Sequence, residues 1–171
     1  MKLAAVGYEA GNGDHIDVVL RTLAHELRAQ GYKLAGAVQW NEPRANQSRD
    51  AMILEDLATG NRLDVSGPTG PESDGCRLDS YALESVVGIV AGTIHSDVDL
   101  VILNRFGKQE AARAGFRPVI EAAVVHDLPL LTGLNNAYRA LWNTFTNGEC
   151  AYLAPNRESI LSWANATLPP R

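Results

Sequence analysis

The sequence predicts an α/β protein with a mostly parallel sheet, flanking helices and one antiparallel hairpin at the sheet edge. Three observations predict it. Short apolar runs alternate with segments whose apolar residues recur at the helical period, as in Ile16, Val19, Leu20, Leu23, Ala24 and Leu27. A glycine-rich loop, Glu9-Ala-Gly-Asn-Gly-Asp14, joins the first strand to that helix. Two strand-like runs, 52–57 and 62–65, flank Ala58-Thr-Gly-Asn61, a turn signal containing glycine.

In chain order, Lys2 to Tyr8 reads as a short apolar strand. Asp14 is the expected N-cap of a helix running from His15 to Gln30, and Gly31 suits its C-terminal stop. Lys33 to Trp40 is a second strand, so the first forty residues make a βαβ unit with a right-handed crossover expected. The hairpin follows. Ser66 to Gly75 is rich in Gly and Pro and reads as a loop. Asp79 or Ser80 caps a helix to about His95, with Leu83, Val86, Val87, Val90 and Ile94 on one face. Val98 to Leu103 is a buried strand that breaks into a polar loop. A helix over 116–126 tolerates Pro118 in its first turn. Leu128 to Leu134 is a strand, Tyr138 to Phe145 a short helix, Cys150 to Leu153 a last strand, and Arg157 to Ala166 a closing helix. That makes four or five mostly parallel strands plus the hairpin.

Composition narrows the function classes. The 171 residues read as one domain, 1–171, with 46% apolar and 20% charged residues. A net charge of −5 argues against a general nucleic-acid binder. The apolar start, Leu3 to Val6, is too short for a signal peptide or a membrane span. Cys76 and Cys150 are far apart and unaccompanied, as expected of packed thiols in a cytoplasmic chain.

Candidate chemistry lies at the carboxyl ends of the strands, where parallel α/β sheets present ligands. The apolar run to Leu103 ends in Asn104-Arg-Phe-Gly-Lys-Gln-Glu110. Asn104 and Arg105 stand where a nucleoside triphosphatase of the P-loop class places the acid that holds magnesium. Arg105 suits recognition of a tetrahedral oxyanion, Lys108 adds a point charge, and Glu110 either tethers them or begins a helix. The loop Gly7-Tyr-Glu-Ala-Gly-Asn-Gly-Asp14 has the glycines and the strand-to-helix position of a phosphate loop, but neither its lysine nor its hydroxyl residue. The amides of Gly11, Asn12, Gly13 and Asp14 remain candidate anion donors at a helix start. Arg77 in Gly75-Cys-Arg-Leu-Asp79 is a candidate third cation. Gln39, Asn41, Thr132 and Asn135 are aimed at the same edge. The four histidines show no metal spacing, and His95-Ser-Asp-Val-Asp99 falls at the amino end of a strand, the wrong edge. No metal site and no catalytic residue is assigned.

The glycine loop, Leu34-Ala-Gly-Ala-Val-Gln39, Met52-Ile-Leu-Glu-Asp-Leu57, Gly75-Cys-Arg-Leu-Asp79, Leu103-Asn-Arg-Phe-Gly-Lys-Gln-Glu110 and Leu130-Leu-Thr132 together resemble a bacterial family, the domain of unknown function twenty-four seventy-eight. The resemblance covers nearly the whole chain, and Asn-Arg-Phe-Gly-Lys is its most specific part. That family is described as nucleoside-triphosphatase-like and often accompanies molybdate-uptake genes. The resemblance implies a degenerate P-loop-type fold and a tie to molybdenum or tungsten handling. Related small nucleoside-triphosphatases of archaea and thermophiles keep the lysine and the acid that this chain lacks, so hydrolysis does not carry over.

Three functions follow as alternatives. The first is a binding protein for a small anionic ligand, an oxyanion such as molybdate or tungstate or a phosphorylated molecule, held by Arg105, Lys108, Asn104 and the loop amides. On this reading Arg105→Ala removes binding and spares the fold. The second is a nucleotide-dependent hydrolase or transferase with magnesium on Glu9, Asp14 or Asp17. The third is an interaction module that binds a protein or a second copy of the chain, forming a homo-oligomer.

Overall fold

The computed structural model describes residues 2–45, 49–67 and 78–171. Seven strands form one mixed sheet: β1 (Leu3–Tyr8), β2 (Leu34–Glu42), β3 (Ala51–Asp56), β4 (Arg62–Asp64), β5 (Leu100–Phe106), β6 (Leu130–Asn135) and β7 (Ala151–Leu153). Their order is β4-β3-β2-β5-β6-β1-β7. The pairs β2·β5, β5·β6, β6·β1 and β1·β7 are parallel. β3 returns antiparallel on β2 and β4 antiparallel on β3, so the hairpin sits at the edge as expected. The expected simple βαβ unit is modified. β1 and β2 lie in the same sheet, but β5 and β6 are inserted between them. These later strands are continuous apolar runs, and such runs are stable only where both faces are covered.

Alternation along the strands builds two cores. Ala4, Val6, Leu100, Ile102 and Leu131 face one side, packed with α1 (Gly13–Ala29) and α6 (Arg157–Thr167). Ala5, Val101, Leu103, Leu130 and Leu134 face the other, packed with α2 (Ser80–Ala91), α4 (Arg117–Val125) and α5 (Arg139–Phe145). Helix α1 buries Ile16, Leu20, Leu23, Ala24 and Leu27 along one stripe. Each large aliphatic side chain so buried is worth about 1.5–3 kcal/mol. The four-residue helix α3 (Lys108–Ala111) and a 3-10 turn at Asn136–Tyr138 complete the elements.

Local signals worked unevenly. Asp79 caps α2, accepting from the amides of Tyr81 and Ala82. Asp14 does not cap α1: the helix starts at Gly13, after Asn12, and Asp14 lies in its first turn. Strand β5 continues through Asn104 and Arg105 to Phe106, beyond the expected stop at Leu103. Both polar residues are therefore held on a strand, rather than on a loop. Cys150 is buried, and the Trp142 indole donates to its Sγ at 3.1 Å. Among the described residues no helix is long and apolar enough to cross a membrane.

Candidate functional site

The carboxyl ends of β1, β2, β5 and β6 meet at one edge, above the start of α1. Arg105 rises from β5 and turns toward α1, where Asp17 waits. Asp17 is 1% exposed. Arg105 Nε donates to its Oδ1 at 2.9 Å and Nη2 to its Oδ2 at 2.7 Å, a two-pronged pair. Asn104 Nδ2 adds a bond to Asp17 Oδ1 at 3.0 Å and another to Gln39 Oε1 at 3.2 Å. The Gln39 amide N–H returns a bond to Asn104 Oδ1 at 3.2 Å, and Gln39 Nε2 donates to Asn41 at 2.9 Å. Arg105 also reaches the Tyr8 hydroxyl. Burial pushes the Asp17 carboxyl above its ordinary value, while Arg105 and Asn104 pull it back down.

The guanidinium lies over the glycine loop. A Cβ on Gly13 would sit 2.5 Å from Arg105 Nη1, so a larger residue there would have to push the guanidinium out of its place on Asp17. A cation at a helix N-terminus opposes the macrodipole. Asp17, with Asp14 in the first turn, supplies the compensating charge. Relative to a phosphate loop, the charges have changed places. The cation has moved to β5 and the acid to α1.

Beside this pair opens a cleft of about 400 Å³. Tyr8, Asn104, Arg105, Lys108, Gln109 and Asn135 line its polar side. Met52, Leu54, Val65, Leu78, Leu83 and Phe116 line the other. Lys108 is exposed, and its ammonium makes no ion pair among the described residues. Glu110, 5% exposed, does not tether the basic pair. It accepts from the amides of Gly107 and Phe116, both at 3.0 Å, and so staples the 107–116 loop. Burial raises its carboxyl above the usual range.

The structure thus brings Asn104, Arg105, Lys108, Gln39 and Asn135 to one cleft. Gly11, Asn12, Gly13 and Asp14 sit at the start of α1, with Gly13 under Arg105. Thr132 is fully buried in the sheet. Arg77 and Cys76 lie outside the described residues. Asp97 and Asp99 bind Lys33 at the amino end of β5, away from the cleft. Of the acids considered for magnesium, Asp17 is taken by Arg105 and Glu9 accepts from Asn136 at 2.6 Å. Among the described residues no group of three His, Cys, Asp or Glu is placed to hold a metal.

The structural role of Asp17, the Tyr8 contact and the apolar wall were not anticipated. Asp17 had a signal: it lies three residues before Leu20, on the stripe that α1 buries. A carboxylate on such a stripe needs a partner.

The family described as "Protein of unknown function (DUF2478)" matches residues 3–163. The chain belongs to this family. A curated relative of this DUF2478 chain is "Molybdenum import ATP-binding protein ModC 2" of Bradyrhizobium diazoefficiens, 32% identical over 162 residues. That match takes in 95% of the DUF2478 chain and only 18% of the relative's length. Among solved structures, THEP1 from Aquifex aeolicus superposes with a TM-score of 0.63 at 13% identity, covering 98% of this chain and 97% of that one. The DUF2478 fold is P-loop-nucleoside-triphosphatase-like, with the antiparallel pair at its edge.

Proposed function

We propose that this chain is a ligand-binding protein that holds an oxyanion or a phosphorylated small molecule at the carboxyl edge of its sheet and serves molybdenum or tungsten metabolism. The observation that carries the reading is the cleft of about 400 Å³ in which Lys108 stands without an ion-pair partner among the described residues, beside Arg105. Clefts at strand ends are where this class of sheet binds ligands. The metabolic assignment is supported by the relative named for molybdenum import. Arg105 acts here through its remaining N–H groups, since its charge is matched by Asp17. Lys108 supplies the attraction, and the amides of Gly11, Gly13 and Asp14 extend the donor set beyond Arg105, that of Asn12 being given to the Glu9 carbonyl at 3.0 Å. Binding of magnesium nucleotide in the usual way is opposed by Asp14, which repels phosphate where a lysine would attract it, and by the Arg105 guanidinium lying over Gly13.

Calorimetry with molybdate, tungstate, sulfate, phosphate and ATP, each with and without magnesium, tests this. The expected result is a magnesium-independent signal with an oxyanion or phosphate that falls about tenfold in Lys108→Ala, the loss of one modest charge interaction of roughly 1.4 kcal/mol. A signal with magnesium ATP alone would overturn it.

A further inference from the structure

The cleft is chemically two-sided in a way that a bare tetrahedral anion would not use. We propose that its ligand is an aromatic or heteroaromatic ring carrying a single phosphoryl head, with the ring on the Leu54–Leu83–Phe116 wall and the head between Lys108 and Arg105. This rests on the binding role argued above and narrows it to a substrate class.

Three observations carry it. The first is size. A cleft of about 400 Å³ falls in the range of organic-ligand pockets, roughly 300–1,000 Å³. An inorganic oxyanion displaces only the space of a few waters, at roughly 30 Å³ each. The second is the wall. Leu54, Leu83 and Phe116 are 4%, 5% and 4% exposed, so each is fixed by the core and shows the cleft only an edge. Met52, partly exposed, continues this surface from β3, with the fully buried Val65 behind it. The wall is preformed, and a flat ring covers it without ordering any side chain. Water against such a surface is displaced at a gain of about 25 cal/mol per Å². The third is charge. Asp17 matches Arg105, and Glu110 is turned to the amides of Gly107 and Phe116. Among the described residues that leaves Lys108 as the unmatched cation of the lining, a charge suited to one phosphoryl group.

The test is calorimetric titration of the full chain with inorganic phosphate, phenyl phosphate, 1-naphthyl phosphate and 1-naphthol. Affinity is expected to rise at least tenfold from inorganic phosphate to 1-naphthyl phosphate, with 1-naphthol binding far more weakly than its phosphate. Met52→Gln and Leu83→Ala, each checked for an intact melting transition, are expected to cut that increment severalfold while leaving inorganic phosphate unchanged. Met52 is partly exposed, so its variant is the safer one should Leu83→Ala fold poorly. Equal affinity for inorganic and naphthyl phosphate, both weakened by Lys108→Ala, would overturn the ring site and leave the oxyanion site standing. An increment that survives both wall variants would also overturn it. Binding of none of the phosphates, or equal binding of 1-naphthol, would sink both readings.

Discussion

Asp17 and Arg105 hold each other through two parallel hydrogen bonds of 2.9 and 2.7 Å, with the carboxylate sealed from solvent. Removing one member of a buried pair strands the other charge, which typically costs about 3–5 kcal/mol. The expectation that Arg105→Ala spares the fold is therefore replaced. Arg105→Ala is expected to destabilise the protein by about that amount in urea unfolding. Arg105→Lys should also destabilise it, because an ammonium cannot reproduce the fork. The double variant Asp17→Leu, Arg105→Met should recover most of the loss, since an apolar pair of similar volume removes both charges. Stability of Arg105→Ala within about 1 kcal/mol of the parent would show that the pair is not structural. It also follows that loss of ligand binding in Arg105→Ala alone says little about ligand contact, which is why Lys108 is the better probe.

The division between what was legible in the sequence and what was not follows from range. Periodicity is local, so the seven strands and the longer helices could be read, but not the four-residue α3 or the 3-10 turn at Asn136–Tyr138, which are too short to show a period. The Gly-containing turn located the β3–β4 hairpin at the edge. Strand order is not local: nothing between Tyr8 and Leu34 announces that β5 and β6 will separate β1 from β2. The same holds at the site. Arg105 and Lys108 were visible as a basic cluster at a strand end. The partner of Arg105 is 88 residues away, on another element. The apolar wall is assembled from β3, α2 and the residue before α4, whose side chains in sequence look like ordinary core.

Glu55 gives a prediction for acid pH. Its side chain is 5% exposed and accepts hydrogen bonds from the Trp40 indole at 2.8 Å, from His25 at 3.2 Å and from Arg28 at 3.1 Å. Arg21 and Arg62 both stack on the Trp40 ring, at 4.0 and 3.8 Å. Burial opposes the Glu55 charge, but the donors outweigh it together and hold the carboxyl below the usual range. A depressed folded value means stability that is present above the unfolded value, about 4.3, and lost as the pH falls through the folded one. Glu55→Gln is expected to lower the melting temperature by about 3–10 °C at pH 6, the loss of a charged hydrogen bond in a chain of this size. That gap should close as the pH is taken toward 3. A gap that widens on acidification would contradict the sign.

Gly36 tests the inserted strand. It has φ +103° on β2, opposite Ile102 of β5, and a Cβ there would overlap the Ile102 carbonyl oxygen. Gly36→Ala combines left-handed strain with crowding against backbone that has no room to move. Each of these costs about 1–3 kcal/mol, so a loss of roughly 2–6 kcal/mol is expected. The measurement is the urea midpoint. A midpoint equal to the parent's would mean that β2 and β5 do not pair at this register.

The exchanged charges of the glycine loop can be put back in stages. Asp14 and His15 follow Gly13 at the start of α1, in the places of the lysine and hydroxyl residue of a phosphate loop. Asp14→Lys with His15→Thr supplies both groups. Nucleotide binding is nevertheless not expected, because Arg105 still lies against Gly13 and Asp17 still faces the loop. The Arg105 guanidinium would be driven closer to a second cation, and a melting temperature below the parent's should result. Adding Asn104→Asp and Arg105→Glu restores an acid at the end of β5, and Asp17→Ser removes the charge that Arg105 had compensated. Magnesium-dependent binding of a fluorescent ATP analogue should then appear only in this five-substitution form. Each half of the exchange contributes through its effect on the other, so binding by the two-substitution form would show that Arg105 does not close the loop to nucleotide.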